Sequence, residues 1–120
     1  MKKNDYALGV MLDVSRNAVM TMEHMKKFLL KISEMGYNCM FLYAENTYEV
    51  DGEPYFGYMR GRYSKDEMRE MDAYARSIGI EIIPCIQTLA HMPDTLRWRY
   101  YRPIKDYPEC LLVGKKETYD

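Results

Sequence analysis

Leu8-Gly9-Val10-Met11-Leu12-Asp13-Val14, followed by Ser15-Arg16-Asn17, is the stretch whose reading decides the fold. Its short, nearly continuous apolar run fits a strand buried on both faces, as in a parallel sheet. A nucleotide-binding sheet would carry a glycine-rich phosphate loop directly after such a strand. Here the strand runs into Ser15, Arg16 and Asn17, and no glycine stands among them. A dinucleotide or ATP site is therefore not expected at this position.

Working outward, Thr21 is placed to cap a helix, with Glu23 in its first turn, where a negative charge suits the helix dipole. Met22, Met25, Leu29, Ile32 and Met35 recur at spacings of three and four and share one face. Gly36 supplies the stop. A second strand is expected over Asn38 to Ala44, then a long polar loop from Glu45 to Tyr63. Ser64-Lys65-Asp66-Glu67 matches a capping box that opens a second helix, with Met68, Met71, Ala75 and Ile78 as its buried stripe and Gly79 as its end. The third strand is Ile80 to Ile86. Pro84 inside it removes one ladder donor and must lie where no hydrogen bond is needed. Beyond residue 87 the chain is irregular, with Pro93, Pro103 and Pro108, and Leu111-Leu112-Val113 reads as a short strand. Lys115 to Asp120 looks like the opening of a further element.

The pattern is α/β: βαβαβ with right-handed parallel crossovers. Two architectures fit it, a small doubly wound sheet of flavodoxin type and the N-terminal part of a (β/α)8 TIM barrel. The long βα loops hold the unusual polar residues and the αβ turns are short. An eight-stranded barrel needs roughly 250 residues, so residues 1–120 are expected to form a single incomplete domain, the first three βα units of a truncated barrel.

The bulk numbers exclude other classes. Seventeen basic residues stand against 18 acidic, for a net charge of -1, and no basic block occurs. No nucleic acid and no membrane is expected as partner. The apolar run Ala7 to Val14 is too short for a signal segment or a span, so a cytoplasmic location is expected. Cys39, Cys85 and Cys110 are odd in number and widely spaced, which argues against disulfides or a zinc ribbon and for small buried hydrophobes. No metal and no cofactor is expected.

Three separated segments carry a resemblance. Gly9 to Asn17 is similar to the first barrel strand of the β-N-acetylhexosaminidases of glycoside hydrolase family 20. Asn38 to Tyr48 resembles their second strand, and Ile82 to His91 their third with its terminal His. Glu53 to Tyr58 and Leu111 to Gly114 also resemble the bacterial single-domain branch. The resemblance implies a glycosidase that removes terminal β-linked N-acetylhexosamine with retention, the substrate's own acetamido oxygen acting as nucleophile. It implies a catalytic Asp-Glu pair after a fourth strand, and this chain ends before that strand. Its one Asp-Glu dipeptide, Asp66-Glu67, belongs to the capping box. No catalytic acid/base is therefore expected within the chain, and the chain alone is expected to be inactive.

The same resemblance assigns supporting roles. Arg16 would donate to hydroxyls of the sugar, since a guanidinium presents several donors in a fixed fork, and Asp13 would hold Arg16. His91 would couple to the acid/base carboxylate through a carboxylate after strand two. The residue at that position is Asn46, which cannot stabilise an imidazolium by charge, and Glu45 beside it is the substitute. Tyr55, Tyr58, Arg60, Arg62 and Trp98 are candidates for sugar contact or loop packing. The expected partner is a glycan ending in N-acetylhexosamine. Self-association through an exposed sheet edge is also expected. The alternative is a non-catalytic sugar-binding or interaction module of α/β type that keeps Arg16 and His91.

Overall fold

The computed structural model describes residues 6–119. The basic start at Met1-Lys2-Lys3 and the final Asp120 lie outside the described residues. Five strands and three α-helices follow in chain order. They are β1 (Gly9–Asp13), α1 (Met22–Glu34), β2 (Cys39–Ala44), α2 (Lys65–Ser77), β3 (Glu81–Ile86), α3 (Pro93–Leu96), β4 (Lys105–Tyr107) and β5 (Cys110–Leu111). A 3-10 helix over Arg99–Ile104 precedes β4, and another over Lys116–Thr118 follows β5.

The helix ends form as their sequences dictate. The Thr21 hydroxyl accepts from the His24 amide at 3.4 Å, and Gly36 takes φ +91° just past the end of α1. His24 thus belongs to the cap region of α1, where its Nδ1 also lies 2.9 Å from the Thr21 hydroxyl. At α2, Ser64 accepts from the Glu67 amide at 3.2 Å and the Glu67 carboxylate accepts from the Ser64 amide at 2.8 Å. Met25, Leu29, Ile32, Met71 and Ala75 are buried. Met35 departs from the expected stripe. It is the C-cap residue of α1, past the last helical turn, and is 63% exposed.

The sheet is parallel, with strand order β1-β2-β3. Met40, Leu42 and Ala44 of β2 point to the same core as Met25, Leu29, Met71 and Ala75, so both helices cover one face. A doubly wound sheet reverses its strand order and places helices on both faces. Neither occurs among the described residues, and the flavodoxin-type alternative falls. The other face carries Met11, Phe41, Tyr43, Ile83 and Cys85 by the two-residue alternation, and Met11 is 63% exposed there. Gly9 belongs to this face. A Cβ on it would lie 2.6 Å from Cys39 Sγ and 3.0 Å from the Phe41 ring.

Pro84 sits where its missing donor costs nothing. Glu81 N–H donates to Asn38 O and Gln87 N–H to Ala44 O. The odd-numbered amides of β3 thus face β2, and Pro84 turns its nitrogen to the open edge. A hollow of about 280 Å³ lined by Leu42, Met68, Pro84 and Ile86 opens on the helix side of this edge. It stays uncovered because the segment after β3 packs elsewhere. Met92, Leu96 and Tyr101 join Phe56 of the β2–α2 loop in a second apolar cluster.

Two further sequence expectations need correction. The strand foreseen at Leu111 to Val113 is shorter and shifted to Cys110–Leu111, and it pairs antiparallel with β4 in a ribbon of its own. Of the cysteines only Cys39 is buried, while Cys85 and Cys110 are partly exposed. No helix among the described residues is long and apolar enough to cross a membrane.

Candidate functional site

Because all three strands run the same way, their C-terminal ends share one edge of the sheet, and the βα loops rise from it. Ser15 and Arg16 follow β1, Glu45 and Asn46 follow β2, and Gln87 and His91 follow β3. Arg16 and His91 therefore lie at the same end of the sheet.

A hydrogen-bonded network spans that end. Asp13 accepts from the Ser15 amide at 2.9 Å and from the Arg16 amide at 3.2 Å, and it pairs with the Arg16 guanidinium. Burial alone would raise the Asp13 carboxyl. The hydrogen bonds from Ser15 and Arg16 and the Arg16 charge outweigh it, and the group lies below its usual value of 3.8. Arg16 leans over the Tyr43 ring at 5.0 Å, with Glu45 Oε1 3.9 Å from its second terminal nitrogen. Tyr43 donates to Glu45 at 3.0 Å, and Gln87 donates to the Tyr43 hydroxyl oxygen at 3.1 Å. The Glu45 amide donates to Ser15 Oγ at 2.7 Å. Asp13, Arg16, Glu45, Tyr43 and Gln87 thus form one chain of contacts across β1, β2 and β3. Within it the Arg16 side chain stays 62% exposed, so its guanidinium can be reached from solvent.

Arg60 locks the surrounding loops. Its guanidinium donates to the Ser15 carbonyl and to Asp94, joining the segments that follow all three strands. Of the two roles the sequence offered Arg60, sugar contact or loop packing, its contacts here are those of loop packing. Arg62 donates to Phe56 O at 2.5 Å and is likewise engaged. Tyr55, Tyr58 and Trp98 pack on one another, with Tyr55 stacked on Trp98 at 5.6 Å and Tyr58 edge-on to it at 5.2 Å.

No family model matches the chain, and no curated protein matches it. Solved structures do. An N-acetyl-β-hexosaminidase of Streptomyces plicatus is 24% identical over 93% of this chain, with a TM-score of 0.79. The β-N-acetylhexosaminidase of Bacteroides fragilis is 22% identical over 92%, with a TM-score of 0.74. A family 20 β-N-acetylglucosaminidase is 19% identical over 95%, also with a TM-score of 0.74. The α/β fold resembles part of these glycoside hydrolase structures. The chain spans 27%, 26% and 32% of those three structures respectively.

The relay expected between His91 and the residue after β2 is not assembled among the described residues. Asn46 is buried and donates through Nδ2 to Thr95 Oγ1 at 3.3 Å, while its Oδ1 finds no donor among the described residues. Such an unfilled buried acceptor costs about 1–3 kcal/mol. His91 is exposed, stands at φ +58°, and makes no side-chain hydrogen bond among the described residues. Sequence reasoning missed Tyr43 and Gln87. Tyr43 looked like one more core residue of β2. Its place in the alternation, on the same face as Asp13, was the available signal.

Proposed function

We propose that the chain forms the first three βα units of a barrel of family 20 type, and that its strand-end network is part of a pocket for a terminal β-linked N-acetylhexosamine. The observation that carries this is the continuous network from Asp13 to Gln87, with Arg16 held by Asp13 and flanked by Glu45 while its side chain stays exposed. A guanidinium fixed in this way meets adjacent sugar hydroxyls without losing rotamer freedom on binding. Asp13 positions Arg16, Glu45 orders Tyr43, and the open apolar face beneath would be the barrel interior. Hydrolysis would follow the substrate-assisted retaining route, with the acid/base carboxylate supplied from outside these 120 residues. Glu67 is spent on the cap of α2, and Asp66 pairs with Arg69 on the same helix. The three free cysteines suit a reducing, cytoplasmic compartment.

The test is a titration of the 120-residue chain with N-acetylglucosamine, followed by amide NMR. Signals of Ser15, Arg16, Glu45 and Gln87 are expected to shift, and Arg16→Ala to abolish the shifts. Signals that stay in place would sink the proposal. A chromogenic β-N-acetylglucosaminide should give no turnover with the chain alone. Turnover would contradict the absence of an acid/base.

One observation favours a second reading, a sugar-binding module without chemistry. Asn46 stands where a carboxylate would serve the relay, and its amide is committed to Thr95. Asn46→Asp separates the two. If His91 belongs to a relay, the new carboxylate should move the His91 ring signals in an NMR spectrum. An unmoved His91 leaves the binding module.

A further inference from the structure

The segment after β3 builds a second polar feature, independent of the strand-end network. Arg99–Ile104 is a 3-10 helix, in which three residues complete a turn, so Arg99 and Arg102 lie along one side, and Lys105 follows where the chain turns into β4. Pro103 within it fixes its own φ and stiffens the platform. With Arg97 and Trp98 these residues line an open cleft of about 460 Å³ whose one carboxylate is Asp106. Arg97 already has company, with Asp94 at 3.8 Å and the Trp98 ring at 4.9 Å beneath its guanidinium. Among the described residues Arg99, Arg102 and Lys105 make no ion pair with any carboxylate. Elsewhere on this molecule Arg and Lys side chains are mostly paired: Lys26 with Glu70, Lys27 with Glu23, Arg69 with Asp66 and Arg76 with Asp72. Like charges gathered around one cleft repel one another, and an anion between them removes that repulsion.

We infer that this cleft binds a sulfate or phosphate ester group carried on a small saccharide. The forked guanidinium matches the oxygens of such a group, two arginines one turn apart can grip it from one side, and the Lys105 ammonium adds a point charge. The cleft falls in the size range of small-ligand sites, roughly 300–1,000 Å³. A nucleic-acid strand would need a longer basic track, and the net charge of -1 supplies none. The saccharide part of this inference rests on the proposed function. The oxyanion part does not.

The experiment titrates the 120-residue chain with inorganic sulfate, glucose 6-sulfate, glucose 6-phosphate and glucose, reading the arginine side-chain Nε–H signals. Sulfate and both esters should shift Arg99 and Arg102, and glucose should not. The double variant Arg99→Gln, Arg102→Gln replaces two exposed side chains and should weaken ester binding about tenfold or more. Arg69→Gln on α2 should leave it unchanged. Arg16→Ala should leave it unchanged as well, which separates this cleft from the strand-end network. No shift with sulfate, or equal weakening by Arg69→Gln, would overturn the inference. Binding of inorganic sulfate without either ester would overturn its saccharide part. A short single-stranded RNA that shifts the same arginines at lower concentration than the esters would replace it with a nucleic-acid site.

Discussion

Gly57 stands at φ +65°, and a Cβ on it would lie 2.0 Å from the Asn46 carbonyl oxygen. This close approach is what lets the β2–α2 loop fold back over the strand end and bury Asn46. Gly57→Ala is expected to cost at least about 2 kcal/mol, through both the positive φ and the backbone clash. Urea unfolding measures it, and a loss below about 0.5 kcal/mol would show that the loop can shift aside. At this scale the sequence was partly legible. Asp13, Arg16 and Glu45 stood out because charged groups directly after apolar strands have few structural reasons to be there. The partnership of Arg60 with Ser15 and Asp94 was not legible, since neither neighbour lies within thirty residues of it. No local pattern encodes such a contact.

The elements that could be read were those whose causes are local. The cap of α2 is complete within four residues, Ser64 to Glu67. Ser64→Ala should therefore lose about 1 kcal/mol. Glu67→Ala should lose a part of the same amount, because the two bonds act as one motif. A thermal or urea melt of both single variants and the double checks this, and full additivity would argue against the box acting as a unit. The segment after residue 87 was illegible for the opposite reason. Its shape depends on distant backbone partners, as where the Met92 amide donates to Glu109 O and the Leu111 amide to Leu89 O. Prolines there announce where regular structure stops and say nothing about where the chain goes next. Met35 misled because the three-and-four spacing runs one residue past the helix, where Met35 is the C-cap.

At the scale of the whole molecule, one face of the sheet is covered by α1 and α2 and the other is open, with β1 and β3 unpaired on their outer sides among the described residues. The parallel sheet and its crossovers followed from the βαβαβ pattern, whereas strand order and the placement of both helices on one face did not, since a doubly wound sheet fitted the same pattern. Closure into a barrel did not follow either, because it depends on strands beyond these three. The free edges lead us to expect reversible self-association, and Pro84 should temper it. Pro84→Ala restores an edge amide without altering the bonds to β2. Sedimentation velocity of this variant should show more associated material than the parent at equal concentration. An identical distribution would mean that β1 or the open face, rather than β3, makes the contact. Pro84 also gives this border a kind of address. Any strand laid against β3 meets amides only at Ile82 and Ile86, about 13 Å apart at 3.3 Å per residue, with a gap between them. A stray peptide loses a rung there, while a neighbour whose own bonding pattern skips that position fits, so a single absent hydrogen can favour the right companion over the wrong ones.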